Sequence, residues 1–221
     1  MNLSFDIVEK SANALHLDIL GGFHPGPDDA SLTGCGTLLM LGPREPAFWD
    51  HFQTQKEYLD DAPNPVDRWS SRVVTALAAA LGGHPFFPFS GPPYMPFYQW
   101  ALRSGRCHSS PVNLLVHDEA GLFVSFRGAL ALRQRIELPA APPSPCDTCV
   151  ERPCVTACPV DAFALGQYDV NACRDVIRAD DPAYCLSRGC AVRRACPISQ
   201  GYGRVEAQSS YHMRAFLEND P

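Results

Sequence analysis

No stretch of this chain approaches the ~20 consecutive apolar residues needed to span a bilayer, so no membrane association is expected. Its 221 residues also lack a basic block. With 18 Lys and Arg against 24 Asp and Glu, the net charge is −6. Binding to nucleic acid needs a cationic surface, so no nucleic-acid partner is expected. The N-terminal Met-Asn-Leu-Ser-Phe-Asp-Ile-Val-Glu-Lys has no basic region followed by an apolar one. A secretion signal is therefore not expected, and the protein reads as cytoplasmic. There is no internal repeat, and the sole low-complexity tract is a proline-rich stretch. Cysteine is scarce before residue 140, where only Cys35 and Cys107 occur. Each reads as a small core residue or an isolated thiol.

Eight of the ten cysteines fall instead between Cys146 and Cys196. The first group is Cys146-Asp-Thr-Cys149-Val-Glu-Arg-Pro-Cys154-Val-Thr-Ala-Cys158-Pro159, and the second is Cys173, Cys185, Cys190 and Cys196-Pro197. In a reducing compartment such clusters bind metal or do redox chemistry more often than they form disulfides. A structural zinc site usually shows two short Cys-x-x-Cys knuckles, and here there is one, Cys146 with Cys149. A tight loop can present three thiolates to an iron–sulfur cubane, with backbone N–H groups left to hydrogen-bond the sulfurs. A proline after the fourth cysteine ends the helical turn and removes a donor.

Composition shifts near residue 140. Pro139-Ala-Ala-Pro142-Pro143-Ser-Pro145 has few backbone donors and favours extended chain, so it reads as a linker between domains at 1–140 and 141–221. Before it, a short helix is expected from Phe5 to Leu15, then a strand at Leu15–Gly21. Gly36 to Gly42 is an apolar run bounded by glycines, the mark of a strand buried on both faces. The clearest helix spans Pro65 to Leu81, with Asn64 as N-cap, Pro65 at the first position and Gly82-Gly83 as the stop. Val66, Trp69, Val73, Leu77 and Leu81 share one stripe of it. A further short helix is expected at Pro96–Ser104. Pro111–His117 and Leu122–Leu138 read as two strands of a hairpin turning across Asp118-Glu-Ala-Gly121. The fold class is α+β.

The cysteine-rich part resembles bacterial two-cluster ferredoxins, and Cys158-Pro159-Val-Asp-Ala162-Phe163, then Tyr168-Asp169 and Cys173, is similar to their segment between motifs. In that family each fourth cysteine ligates the other cluster. The resemblance implies two [4Fe-4S] clusters, one on Cys146, Cys149, Cys154 and Cys196, the other on Cys158, Cys173, Cys185 and Cys190. Two departures bear on which cysteine goes where. Four residues rather than two separate Cys149 from Cys154, and the second group is spaced by eleven, four and five.

The order of elements ahead of it is similar to a wider group, the epoxyqueuosine reductases and reductive dehalogenases. There a nitroreductase-like α/β sandwich that holds cobalamin precedes such a ferredoxin-type domain. Phe97-Tyr-Gln-Trp100-Ala-Leu-Arg-Ser-Gly105, Ser110-Pro-Val-Asn113-Leu-Leu-Val-His117 and Gly121-Leu-Phe-Val-Ser-Phe-Arg127-Gly128 carry this likeness. They also resemble cobalamin-processing proteins related to the methylmalonic aciduria type C protein. In the epoxyqueuosine reductases a catalytic Asp precedes a Thr/Ser-Gly/Ala-Pro turn. Here Pro88-Phe89-Ser90-Gly91-Pro92 puts Phe89 in the acid's place, and a phenyl ring cannot donate a proton.

The aromatic, proline-rich loop from His84 to Phe97 suits a flat conjugated ligand such as a corrin (cobalamin) or a flavin. Phe89, Tyr94 and Phe97 would form its wall, with His108, His117 and Arg127 as polar contacts. Three functions stay open. One is a redox enzyme or relay that passes electrons from two clusters to a small-molecule cofactor or substrate in the first domain. Another is a non-enzymatic electron carrier or cobalamin chaperone. The last is a zinc-stabilised interaction protein. A relay implies an electron donor protein, of the flavodoxin or ferredoxin-reductase kind.

Overall fold

The computed structural model describes residues 3–218, the Leu165 side chain apart. The chain is a mixed α+β protein and divides into two compact units. One comprises the chain up to Cys107 with Ser125–Pro142, the other His108–Val124 with the chain from Pro143 onward. The proline-rich linker does contain a boundary, between Pro142 and Pro143. The expected first domain, however, gives up residues 108–124 to the cysteine-rich unit.

The first unit is built on α1 (Phe5–Asn13), β1 (Leu17–Phe23), β2 (Thr37–Pro43), α2 (Phe48–Gln53), α3 (Lys56–Leu59), α4 (Pro65–Leu81), β3 (His84–Phe86) and α5 (Phe97–Arg103). Beyond the strands β4 (Cys107–Ser109) and β5 (Leu115–His117), it is completed by β6 (Gly128–Leu132). Four strands make an antiparallel sheet in the order β1-β2-β6-β3. Every residue of β2 is buried. Successive side chains of a strand point to opposite faces, so both faces of the sheet are covered there.

Helix α4 ends as expected, at Leu81 before Gly82, and buries Val66, Trp69, Val73 and Leu77. Leu81 is only half-buried. The helix also starts as expected, at Pro65 after Asn64, but Asn64 takes a left-handed conformation and its side chain makes no cap bond. The Arg68 guanidinium instead ties up the approach, donating to the carbonyls of Glu57, Ala62 and Pro63 and to the Asp60 carboxylate. Trp69 is fully buried and meets Phe48 edge-on at 5.2 Å and Phe52 at 6.1 Å. Trp69→Ala is expected to cost about 3–5 kcal/mol in denaturant unfolding, the range for removing a buried aromatic. A loss below about 1 kcal/mol would contradict this packing.

The expected hairpin of 111–117 with 122–138 does not form. β5 pairs with β4 across a Ser110–Leu114 turn, and β6 pairs with β2 and β3. Ser110 N–H donates to the Leu114 carbonyl at 3.0 Å, and Asn113 adopts a left-handed φ of 56°, a conformation that asparagine tolerates. The turn at Asp118–Gly121 does exist, closed by reciprocal His117–Gly121 backbone bonds of 3.0 Å. The strand expected to follow it begins only at Gly128, as β6, and Leu122–Phe126 belongs to neither sheet.

The second unit is largely helical: α6 (Val170–Ala179), α7 (Cys185–Arg188), α8 (Ala191–Ala195), α9 (Pro197–Gly201) and α10 (Glu206–Glu218). α10 packs along α7. Two small apolar clusters fill this unit, and each has cysteines in it.

Candidate metal centre

Residues 144–155 curl into a loop with little regular structure. Cys146 N–H donates to Ser144 Oγ at 3.3 Å, and Asp147 and Cys149 N–H groups turn back to the carbonyls of Ser144 and Cys146. Arg152 takes a left-handed φ of 44°, and Pro153 opens a single 3-10 turn that buries Cys154. Cys196 arrives from much later in the chain, placed by the break between α8 and α9, with Pro197 opening α9.

Cys146, Cys149, Cys154 and Cys196 line one cavity of about 330 Å³, whose apolar walls include Pro111, Val116, Leu122 and Ile198. Burial pushes the Cys146 and Cys154 thiols up; Cys196 and Cys149 push both further, and Cys146 adds to the push on Cys154. A bound cation would relieve both effects by favouring the thiolates.

Three devices hold the cavity's far wall in place. Ser199 Oγ accepts from Leu122 N–H at 2.8 Å, and the Arg193 guanidinium donates to the Leu122 carbonyl. His117, fully buried, accepts from the N–H groups of Glu119 and Ala120 at 3.1 Å through Nδ1. Its proton must then sit on Nε2, which faces Asp118 Oδ1 at 3.3 Å. This histidine organises the turn.

The other four cysteines form a second group. Cys158, Cys173 and Cys185 join one apolar cluster with Ala162 and Ile177. Cys190 lies close enough to raise both Cys173 and Cys185, after burial, which is the larger cause in each. The Cys185 thiol is pushed up to about 11. Cys158 packs against both clusters, so the two groups of thiols are neighbours.

The irregular spacing of this group is closed by residues that carry no metal-ligand signature. Asp181 accepts from the N–H groups of Cys185 at 2.6 Å and Leu186 at 2.8 Å, fixing the start of α7. Arg194 gathers the carbonyls of Ala183 at 2.5 Å and Gly189 at 2.9 Å. Asp169 caps α6 through Ala172 N–H at 2.9 Å, which positions Cys173. Ala162 N–H donates to Cys158 Sγ at 3.3 Å. Tyr168 lies close enough to Cys173 to draw its thiol down against burial, the larger cause, and its ring stacks on Phe163 at 4.5 Å. Asp181, Arg194 and Ser199 were not legible as site residues, since a lone polar residue in a helical stretch has no distinguishing pattern.

Of the residues expected to line a cofactor pocket, Phe97 is buried in the core against Trp100 at 5.2 Å and Phe126 at 6.4 Å. Tyr94 is 65% exposed. Phe89 stacks on Phe87 and lines a shallow groove beside Asp67, Arg72 and Thr75 of α4. Arg127 lies near Asp67, whose carboxyl burial pushes up and Arg127 pulls back down. His108 belongs to the second unit. Cys35 is half-buried and its thiol is raised chiefly by burial, while Cys107 is buried.

Among the described residues no three His, Cys, Asp or Glu side chains form a group that could hold a single metal ion. No helix is long and apolar enough to cross a membrane. No family model, no curated protein and no solved structure matches the chain.

Proposed function

We propose that this chain is an iron–sulfur redox protein whose second unit holds two [4Fe-4S] clusters, as a ferredoxin-type domain does. The observation that carries the reading is the shared cavity of Cys146, Cys149, Cys154 and Cys196. Three of these come from one loop and the fourth from the other cysteine group, the crossed pattern of a two-cluster domain.

The donor set fits. Four thiols are soft ligands, which select iron–sulfur clusters or zinc. Tetrahedral zinc needs sulfurs about 3.8 Å apart, from zinc–sulfur bonds of about 2.3 Å. Thiols spread around a cavity of about 330 Å³ suit a ligand of several atoms better. Bound, the clusters would exchange single electrons. The protein's part is to supply thiolates, to enclose them in apolar walls, and to aim N–H and O–H donors at sulfur.

A corrinoid or flavin in a nitroreductase-like first unit remains the proposed acceptor for an oxidoreductase, with a flavodoxin-type or ferredoxin-reductase-type donor. The burial of Phe97 and the exposure of Tyr94 favour a rival reading, an electron carrier with no cofactor in the first unit; a cobalamin chaperone is the third. Titrating the anaerobic protein with cobalamins and flavins separates the three. Binding followed by turnover on reduction supports the enzyme, binding without turnover supports the chaperone, and no binding supports the carrier.

Tyr168 provides a narrower test. A hydroxyl donated to a ligand sulfur stabilises the reduced, more negative cluster and raises its potential. Tyr168→Phe keeps the stacking on Phe163 and removes the donor. The midpoint of the second cluster is expected to fall in an EPR-monitored redox titration, with iron content unchanged. An unmoved pair of midpoints would remove Tyr168 from the site.

A further inference from the structure

The wall that residues 108–124 contribute to the first site carries one polar side chain with no evident use. The main chain of Ser110 is fully engaged: its N–H donates to the Leu114 carbonyl at 3.0 Å, and its carbonyl accepts from Asn113 N–H at 2.9 Å. The residue is only 5% exposed, yet its Oγ has no hydrogen-bond partner among the described residues. Leaving a buried hydroxyl unpaired is destabilising, so an alanine would serve better if packing were the sole requirement. Ser110 lines the same cavity as Cys146, Cys149, Cys154 and Cys196, beside Pro111, Val116 and Leu122. Among these neighbours from its own segment it is the one side chain able to donate.

We propose that the Ser110 hydroxyl donates a hydrogen bond to a sulfur of the first site and thereby raises the reduction potential of the cluster held there. This rests on the iron–sulfur reading above. The chemistry is specific: a thiolate or sulfide gains negative charge on reduction, and an O–H donor in apolar surroundings stabilises that charge without competition from bulk water. The placement also accounts for why residues 108–124 join the cysteine-rich unit. The β4–β5 turn adds a buried donor to a cavity that the cysteine loop itself lines with Thr148 and Arg152 beside its thiols and prolines. Ser110 is thus a positioning and tuning residue, distinct from the ligands.

The test uses the full chain, reconstituted anaerobically, as wild type, Ser110→Ala and Ser110→Thr. Iron and sulfide content and EPR-monitored midpoints are measured on each. Ser110→Ala is expected to keep the wild-type iron content while one midpoint falls and the other stays. Ser110→Thr, which retains the hydroxyl, is expected to restore it. The midpoint that moves should be the one that Tyr168→Phe leaves alone. Two unchanged midpoints in iron-replete Ser110→Ala would overturn the proposal while leaving the cluster reading standing. Loss of first-site iron in Ser110→Ala that Ser110→Thr fails to restore would assign the serine to packing, and also overturn it. A wild-type protein without iron or sulfide would overturn both.

Discussion

Replacing Cys196 with alanine is expected to remove the first cluster and leave the second. Cys196 follows Cys190 closely in sequence, so proximity along the chain would assign the two to one site. The proposed assignment separates them, although Cys190 also packs against the apolar cluster that holds Cys154 and Cys196. Cys196 lines the cavity of Cys146, Cys149 and Cys154, whereas Cys190 acts on Cys173 and Cys185. Iron should drop from about eight to about four per chain, with one EPR signal retained. Cys158→Ala should give the mirror result, losing the same signal as Cys185→Ala although Cys158 sits in the first sequence group. If Cys196→Ala and Cys185→Ala abolished the same signal, the crossed assignment would be wrong.

Gly121→Val is expected to damage the same site without touching a ligand. Gly121 sits at φ +56°, and a Cβ there would lie 2.4 Å from Ser199 N and 2.5 Å from Ser199 Oγ. A β-branched residue in the left-handed region costs roughly 1–3 kcal/mol in strain, and overpacking against backbone costs a similar amount. Together they should lower unfolding stability by about 2–6 kcal/mol. Ser199 stands in α9, which begins directly after Cys196, so yielding there shifts a ligand. First-site iron should be lost to a chelator faster than second-site iron. Gly34→Ala is the control for strain alone, since Gly34 has φ +77° and nothing within 4 Å of its would-be Cβ. Equal losses in the two variants would mean that the contact with Ser199 is not tight.

The sequence pattern reached some of this and missed the rest for identifiable reasons. α4 was legible because Val66, Trp69, Val73 and Leu77 repeat at helical spacing between Pro65 and Gly82. β2 was legible as an apolar run bounded by glycines. The partners of β5 and β6 were not, because strand pairing is a long-range choice that alternation within 111–138 does not encode. The Asp118–Gly121 turn looked like a hairpin turn, and locally it is one. The transfer of 108–124 to the second unit left no trace in composition. The proposed grouping of the cysteines comes from the resemblance to two-cluster ferredoxins, not from spacing alone. Ser110, Asp181 and Arg194 could not be singled out, because their roles come from carbonyls, N–H groups and cavities assembled by distant parts of the chain.

The most direct test of the central reading is metal and acid-labile sulfide content, with EPR, on anaerobically purified protein. The predicted result is about eight iron and eight sulfide per chain with signals from two reducible clusters. A colourless protein carrying stoichiometric zinc and no sulfide, even after anaerobic reconstitution, would contradict it.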